Sequence, residues 1–331
     1  MHLTFTQKKV LLTTGCVLLV VCAPFWGMTV ISPFSLLESG SPEAEVFWRL
    51  RLPRAVAAFL SGAGLGVSGM VFQAMFRNPL ATPFTLGVSS GAAFGASVYF
   101  RFSAPLLLLG GAGSLGAALC GGLLSMLMVY LITRARGGFS TSVMLLAGVI
   151  INFFFSSLVA FVQFWSNAND SLRIMHWLMG SLAGLEIARL ADLAFIIVAG
   201  ALLIFRLSPE LDLLTAGDEL AASRGVAVRQ AKVTLFIVAS VMVGAVVSLG
   251  GPIGFVGMMT PHICRLWLGW AHRQLLPATF VLGGSFLTLC DLLARTALAP
   301  AEIPIGIITA LIGAPFFLWT LFRANQKGEL F

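Results

Sequence analysis

Long apolar runs separated by short polar breaks fill the chain from near the first residue to near the last. Between Leu190 and Phe205 the only charged interruption is Asp192. Barrel strands would instead alternate apolar and polar residues over about ten positions. Continuous runs predict helices, and a spanning helix takes about 20 residues. The pattern predicts ten, at about 10–31, 45–76, 84–100, 105–133, 142–166, 190–206, 231–249, 256–270, 275–297 and 304–323. Pro33, Gly40 and Pro42 break the polar stretch before the second. Arg77-Asn78-Pro79-Leu80-Ala81-Thr82-Pro83 reads as a turn, because two prolines so close disfavour a helix. Lys8 and Lys9 precede the first run as in a secretory leader. No small-x-small cleavage site follows and Leu19-Val20-Val21-Cys22 is a poor lipoprotein site, so the run is read as an uncleaved helix.

Composition narrows the class. Of 331 residues, 58% are hydrophobic and 10% charged, against about 25% charged in soluble domains. So few charges cannot coat a globule of this size, and disorder would need the opposite balance. The expected architecture is an all-α polytopic membrane protein, one transmembrane domain over 1–331 with no separate soluble unit. The net charge of +7 is spread between the spans rather than gathered in a patch, which argues against nucleic acid. With the N-terminus inside, thirteen of the 20 basic residues fall on the inner side. Only Arg49, Arg51, Arg54, Arg101, Arg173, Arg189 and Arg295 fall outside. This bias follows the positive-inside rule, and ten crossings return the C-terminus to the cytoplasm.

Cys16, Cys22, Cys120, Cys264 and Cys290 form no CxxC pair and read as buried small hydrophobes. Glycine is frequent inside the runs, as in Ser61-Gly62-Ala63-Gly64-Leu65-Gly66 through Ser68-Gly69 and again from Gly110 to Gly122. Small residues let helix backbones approach in lipid.

The longest inner polar interruption, about 211–230, contains Gly217-Asp218-Glu219-Leu220-Ala221-Ala222-Ser223-Arg224-Gly225. Its charged start and glycine stop predict a short cytoplasmic helix, either a solvated connector or a docking element. Five further motifs occur in order: Arg51-Leu52-Pro53-Arg54, the Arg77–Pro83 turn, Leu86-Gly87-Val88, Gly254-Phe255-Val256-Gly257 with Pro261-His262 and Arg265, and Ala301-Glu302-Ile303-Pro304-Ile305-Gly306 with Gly313-Ala314-Pro315. Together with the Glu219-Leu220-Ala221-Ala222 segment, which is similar to the EAA loop of bacterial ABC importers, this set resembles the FecCD family of ABC permeases. Those permeases import ferric siderophores, haem and vitamin B12.

The resemblance implies a type II ABC importer permease with ten transmembrane helices per subunit, in the bacterial inner membrane. It implies a second permease subunit, in the simplest case a copy of this chain. Two cytoplasmic ATPases carrying ATP and Mg, and a periplasmic substrate-binding protein, complete the implied assembly. No cofactor or metal on this chain is implied.

It also implies three groups of site residues. Arg51, Arg54 and Arg295 match positions that receive acidic residues of the binding protein; interfacial snorkelling and capping are the alternative. Ser140, Thr141 and Ser142 match the cytoplasmic gate, although the same residue types make helix N-caps. Asp218, Glu219, Ala221, Ala222, Arg224 and Gly225 match the ATPase coupling surface.

Some residues carry less. His176 sits where haem contact is conceivable, but an ordinary interfacial histidine explains it. Asp192 and Asp291 are expected near span ends. Vitamin B12 is the alternative cargo to an iron chelate. An ion-coupled secondary transporter would need acids near the bilayer middle, which are scarce. An intramembrane hydrolase would need a Ser–His pairing that is not evident.

Overall fold

The computed structural model describes residues 5–27, 29–37, 41–102, 113–135, 140–183 and 187–327. The Gly137-Gly138 turn with Arg136, Gly110, and the start of the expected 105–133 helix lie outside them.

Among the described residues there are α-helices and short 3-10 or π turns, without strands. In chain order the α-helices are α1 (Phe5–Cys22), α2 (Pro42–Val46), α3 (Leu52–Phe76), α4 (Val88–Phe102), α5 (Gly113–Ala135), α6 (Thr141–Phe164) and α7 (Ala168–Leu178). Then come α8 (Ile187–Arg206), α9 (Ser208–Ala216), α10 (Asp218–Ser223), α11 (Val228–Gly250), α12 (Val256–Leu268), α13 (His272–Thr296) and α14 (Ile305–Lys327).

Each of the ten apolar runs falls on a helix, but the runs differ in reach. Among the described residues, six helical stretches are long and apolar enough to cross a membrane: Pro42–Phe76, Gly113–Ala135, Thr141–Phe164, Ile187–Arg206, Val228–Gly250 and His272–Thr296. Leu11–Phe25 and Ile305–Thr320 are apolar but shorter. α4 and α12, of 15 and 13 residues, fall short of the ~20 that a perpendicular crossing takes. The first run ends early: α1 stops at Cys22 and a 3-10 turn with Pro24 follows, since proline has no amide hydrogen to extend the ladder. Pro53 ends no helix: it sits in the first turn of α3, where its missing amide hydrogen is tolerated, and the preceding turn Phe47–Arg51 is π-helical. Two further short helices, α7 and α9, lie in stretches for which the pattern predicted none.

α3 is the axis of the bundle, buried almost continuously from Ala57 to Phe76. α8, α11, α12 and α13 pack around it, and α4, α5 and α6 form an adjoining group. Large apolar side chains face outward on the peripheral helices, among them Leu127 and Leu131 on α5, Phe153 and Phe161 on α6, Phe195 and Leu202 on α8, and Leu311 and Leu318 on α14. A surface this apolar is a lipid-facing or subunit-facing one.

The contacts around α3 are glycine contacts. A Cβ on Gly62 would strike the Gly283 carbonyl of α13, and one on Gly69 would strike the Gly257 backbone of α12. On the other side Gly91 of α4 meets Gly121 of α5 in the same manner. The cysteine expectation holds for Cys16, Cys264 and Cys290, which are buried, and fails for Cys22 and Cys120, which are exposed. They belong to helix faces directed out of the bundle.

Gly69→Ala is therefore expected to lower the unfolding midpoint of the detergent-solubilised protein, by the equivalent of about 1–3 kcal/mol for overpacking. Gly15→Ala, on α1 with nothing within 4 Å of the added Cβ, is expected to leave it unchanged or raise it. Equal midpoints for the two variants would contradict the close-approach reading.

Candidate functional site

Charged side chains that are buried among the described residues are Lys232, Arg265, His272, Asp291 and Arg295. All five lie near helix ends, and the middle of the bundle is free of them. They form two groups at opposite ends of α13, from His272 to Arg295, roughly 35 Å apart at 1.5 Å per residue.

At the His272 end, α9 and α10 form the polar segment expected from the sequence. Gly217 separates them with φ 131°, a value that L side chains rarely adopt. Asp212 of α9 caps α13: its Oδ1 accepts from the His272 backbone N at 3.0 Å and lies 2.6 Å from His272 Nδ1. Asp218, the first residue of α10, accepts from Lys232 Nζ of α11 at 2.5 Å. Arg265 of α12 is hydrogen-bonded to Gln73 of α3 and lies over the Trp270 ring. The Arg77 guanidinium lies beside Gly217, which brings the turn after α3 against the same segment.

The six residues matched to the coupling surface do not share one face. Glu219, Ala222, Arg224 and Gly225 are exposed, Ala221 is buried, and Asp218 is partly buried against Lys232. Leu220, 45% exposed, joins the outward set. Gly225 has φ 85° and ends the segment, so the expected glycine stop is there.

Ser140, Thr141 and Ser142 lie at the head of α6 at this same end. Ser140 is the N-cap by backbone conformation, with Met144 N donating to its carbonyl, but its hydroxyl makes no capping bond. Ser140 and Ser142 are exposed, and Thr141 Oγ1 accepts from Lys232 Nζ at 3.4 Å.

At the other end, Arg54 of α3 and Arg295 of α13 converge on Asp291, whose side chain is fully buried. Arg54 Nε donates to Asp291 Oδ1 at 2.8 Å, and Arg295 Nε lies 3.3 Å from Oδ2. Arg54 Nη1 donates to both oxygens of Glu302, at 2.9 and 3.0 Å. Arg295 Nη2 also donates to the Ala23 carbonyl. Arg51 is spent on backbone, donating to the carbonyls of Phe25 and Thr29 and to the Thr29 hydroxyl. Arg49 pairs with Glu45 in the open.

Asp291 is thus not an interfacial acid but the buried centre of an arginine pair. A carboxylate in low dielectric persists only when paired and hydrogen-bonded. Beside this network a cavity of about 440 Å³ is lined by residues including Phe100, Arg173, His176, Trp177 and Glu302. No group of three or more metal-ligating side chains occurs among the described residues.

Sequence reasoning missed Asp212, Lys232 and His272, and it assigned Asp291 and Glu302 no role as partners. The signal for Lys232 was a lone charge just inside an apolar run. That for Asp291 was an acid four residues before Arg295, on one face of a helix.

A lipid-compatible bundle whose charges are confined to its two ends, with a short helix projecting at one of them, is the build of a transport permease. The chain belongs to the FecCD transport family, which it matches over residues 13–323. It is 35% identical to the hemin transport system permease protein HmuU of Yersinia pestis, across 97% of this chain and 98% of that one. It is 39% identical to the vitamin B12 import system permease protein BtuC of Escherichia coli O157:H7, with 86% of each covered. A solved structure described as an inward-facing conformation and as being of the metal-chelate ABC transporter type superposes with a TM-score of 0.84 at 32% identity, covering 94% of this chain and 98% of that one. The membership makes this chain an ABC transporter permease that spans the membrane several times.

Asp291→Asn is expected to cost about 3–5 kcal/mol of stability, because it leaves the buried Arg295 guanidinium without its carboxylate, while Arg54 keeps Glu302. Glu302→Gln, at an exposed partner, is expected to cost less than about 1 kcal/mol. Thermal unfolding in detergent reads both, and a tolerated Asp291→Asn would remove Asp291 from the centre of the network.

Proposed function

We propose that this permease is the membrane subunit of an ATP-driven importer of an iron chelate, a ferric siderophore or haem, in the bacterial inner membrane. The observation that carries the reading is the end-to-end match to a haem permease, 97% of this chain against 98% of the relative. The similarity to a metal-chelate type transporter supports the same cargo class. Vitamin B12 is the second reading, favoured by the identity to vitamin B12 permeases. Both cargoes are bulky metal complexes delivered by a binding protein, so a mid-bundle without buried charge suits either. The same feature disfavours an ion-coupled transporter, which works through acids or broken helices near the midplane.

In this reading all ten helical runs cross or enter the membrane, with both chain ends in the cytoplasm, and the subunit pairs with a second copy. The α9–α10 end faces the cytoplasm. There Glu219, Leu220, Ala222, Arg224 and Gly225 present a mixed apolar and charged surface to one ATPase of a pair, while Asp218 and Ala221 hold the segment to the bundle. ATP and Mg belong to that partner. Ser140, Thr141 and Ser142 form the uncharged cytoplasmic gate. Closure of the ATPases shifts the segment and reorients the pore between discrete states.

The Arg51, Arg54 and Arg295 end receives the binding protein. Opposed charge gives such docking its orientation and speed. Arg295 is only 8% exposed as a side chain, so it supports this face from behind. Arg54 meets the surface through Glu302, 46% exposed, and an incoming carboxylate would compete with Glu302 for the same guanidinium.

The test is purification of the tagged chain in mild detergent with its co-purifying partners, followed by uptake assays in proteoliposomes. An ATPase carrying a Walker motif is expected near equal stoichiometry, together with ATP-dependent uptake of haem or a ferric siderophore. Uptake confined to cyanocobalamin would favour the second reading. A folded permease that never recovers an ATPase would overturn both.

Two variants probe docking. Glu302→Gln is expected to tighten binding-protein affinity at low salt and Arg51→Glu to weaken it. Both effects should fade near 1 M salt, where the screening length is about 3 Å. Affinities that do not move at low salt would remove the docking assignment.

A further inference from the structure

Lys232 lies in the second turn of α11, and its side chain is 1% exposed. An ammonium that deep needs partners, since an ion out of water without them costs several kcal/mol. Its Nζ has two acceptors from different parts of the chain: Asp218 Oδ2 at 2.5 Å and, at a longer 3.4 Å, Thr141 Oγ1. Asp218 opens α10, the segment assigned to the ATPase, and Thr141 opens α6, in the segment assigned to the gate. One buried cation therefore touches both.

The two contacts differ in what they tolerate. Asp218 is 40% exposed as a side chain, so it can move outward and exchange Lys232 for water at small cost. Lys232 cannot do the same without leaving the core. A displacement of α10 has two outcomes: Lys232 follows its carboxylate and leaves Thr141, or it stays and gives up the Asp218 carboxylate while keeping Thr141. The first outcome releases the head of α6, and the second costs a buried ammonium its ion pair, which favours the first. The neighbouring tie between Asp212 and the start of α13 holds α9 in place, and the positive-φ joint at Gly217 lies between that tie and Asp218. α9 is thus tied to α13, while α10 is held to the bundle through Asp218 and Ala221 beyond a glycine joint.

We propose that Lys232 is the positioning residue that carries displacement of α10 to the Ser140–Ser142 gate. This rests on the coupling and gate assignments made above, and the test separates it from them.

In the full assembly of permease, ATPase and binding protein, Cys22 and Cys120, the exposed thiols, are replaced by Ala and Ser142→Cys supplies a reporter. Its alkylation by N-ethylmaleimide is timed with and without Mg-ATP and vanadate. The parent is expected to show a nucleotide-dependent change in rate. Lys232→Met, of similar length but uncharged, is expected to lose that change while the complex still hydrolyses ATP. Lys232→Arg should restore it, and Thr141→Val, which deletes one acceptor, should weaken it. If Lys232→Met fails to assemble, Thr141→Val decides alone.

A full response in Lys232→Met or, failing its assembly, in Thr141→Val overturns the proposal while leaving the gate in place. Lower thermal stability of Lys232→Met with an intact response does the same and makes Lys232 a structural staple. A parent without any response overturns the gate assignment and this proposal together.

Discussion

Close approach of helix backbones at glycine is the constraint on which the rest of the molecule depends. Within lipid no hydrophobic force drives one helix onto another, so association rests on van der Waals contact and on hydrogen bonds between helices. α3 meets α13 at Gly62 and Gly283 and meets α12 at Gly69 and Gly257. Those pairs bring peptide groups together where any Cβ would hold them apart. The sequence motifs that carry the family resemblance serve the same end. Gly257 lies against the Leu65 carbonyl, Gly306 against that of Met179, and Gly313 makes room for the Phe255 ring. Gly87 exposes a carbonyl that accepts from Ser125 at 2.6 Å. Gly257 and Gly306, which read in the sequence as parts of family motifs, are in the fold places where one backbone lies against another.

A bundle packed this closely has little room for ions in its middle, and the charges are displaced to its ends. There they no longer act singly. Asp291 holds two arginines and Lys232 holds two segments, so each end of the bundle is tied by one buried charge with more than one partner. Removing Asp291 costs more than removing a peripheral member such as Glu302, because Arg295 is left as an ion out of water. α13 joins the ends. It begins on the Asp212 cap and finishes at the Arg295 network, with α3 against it along the way.

The helices were legible because apolar runs of span length admit few other structures in a membrane. Their limits were less so. α1 ends at Cys22 and not near Ile31, because Pro24 acts where hydropathy alone sees a continuous run. α7 was missed since Asn167, Asp170 and Arg173 make its stretch look like a loop, although Asn167 caps it by accepting from Asp170 N at 2.8 Å. The candidate site was legible as short segments and opaque as an arrangement. Arg54 and Arg295 stood out as outward positive charges, but Asp291 lies 237 positions from Arg54, and no local pattern reports such a pair. The Asp218–Gly225 segment read as one surface because its residues are consecutive; a helix of six residues necessarily turns some of them inward.

The inward turn matters for the coupling role proposed for α10. A segment whose every side chain faced solvent would dock to an ATPase without gripping the bundle. Its displacement would then dissipate in the loop. Ala221, buried without remainder, and Asp218, paired to Lys232, give α10 a grip on the core. Gly217 and Gly225, both at positive φ, bound it at either end. In that proposal a short element with a glycine on either side and an ionic tie to the interior passes motion at the surface to one point, the ammonium beside Thr141. The Asp291 network lies some 35 Å away along α13. α13 and α3, packed against each other at Gly62 and Gly283, span the distance between the two ends, and their close glycine contact fixes the spacing of those ends.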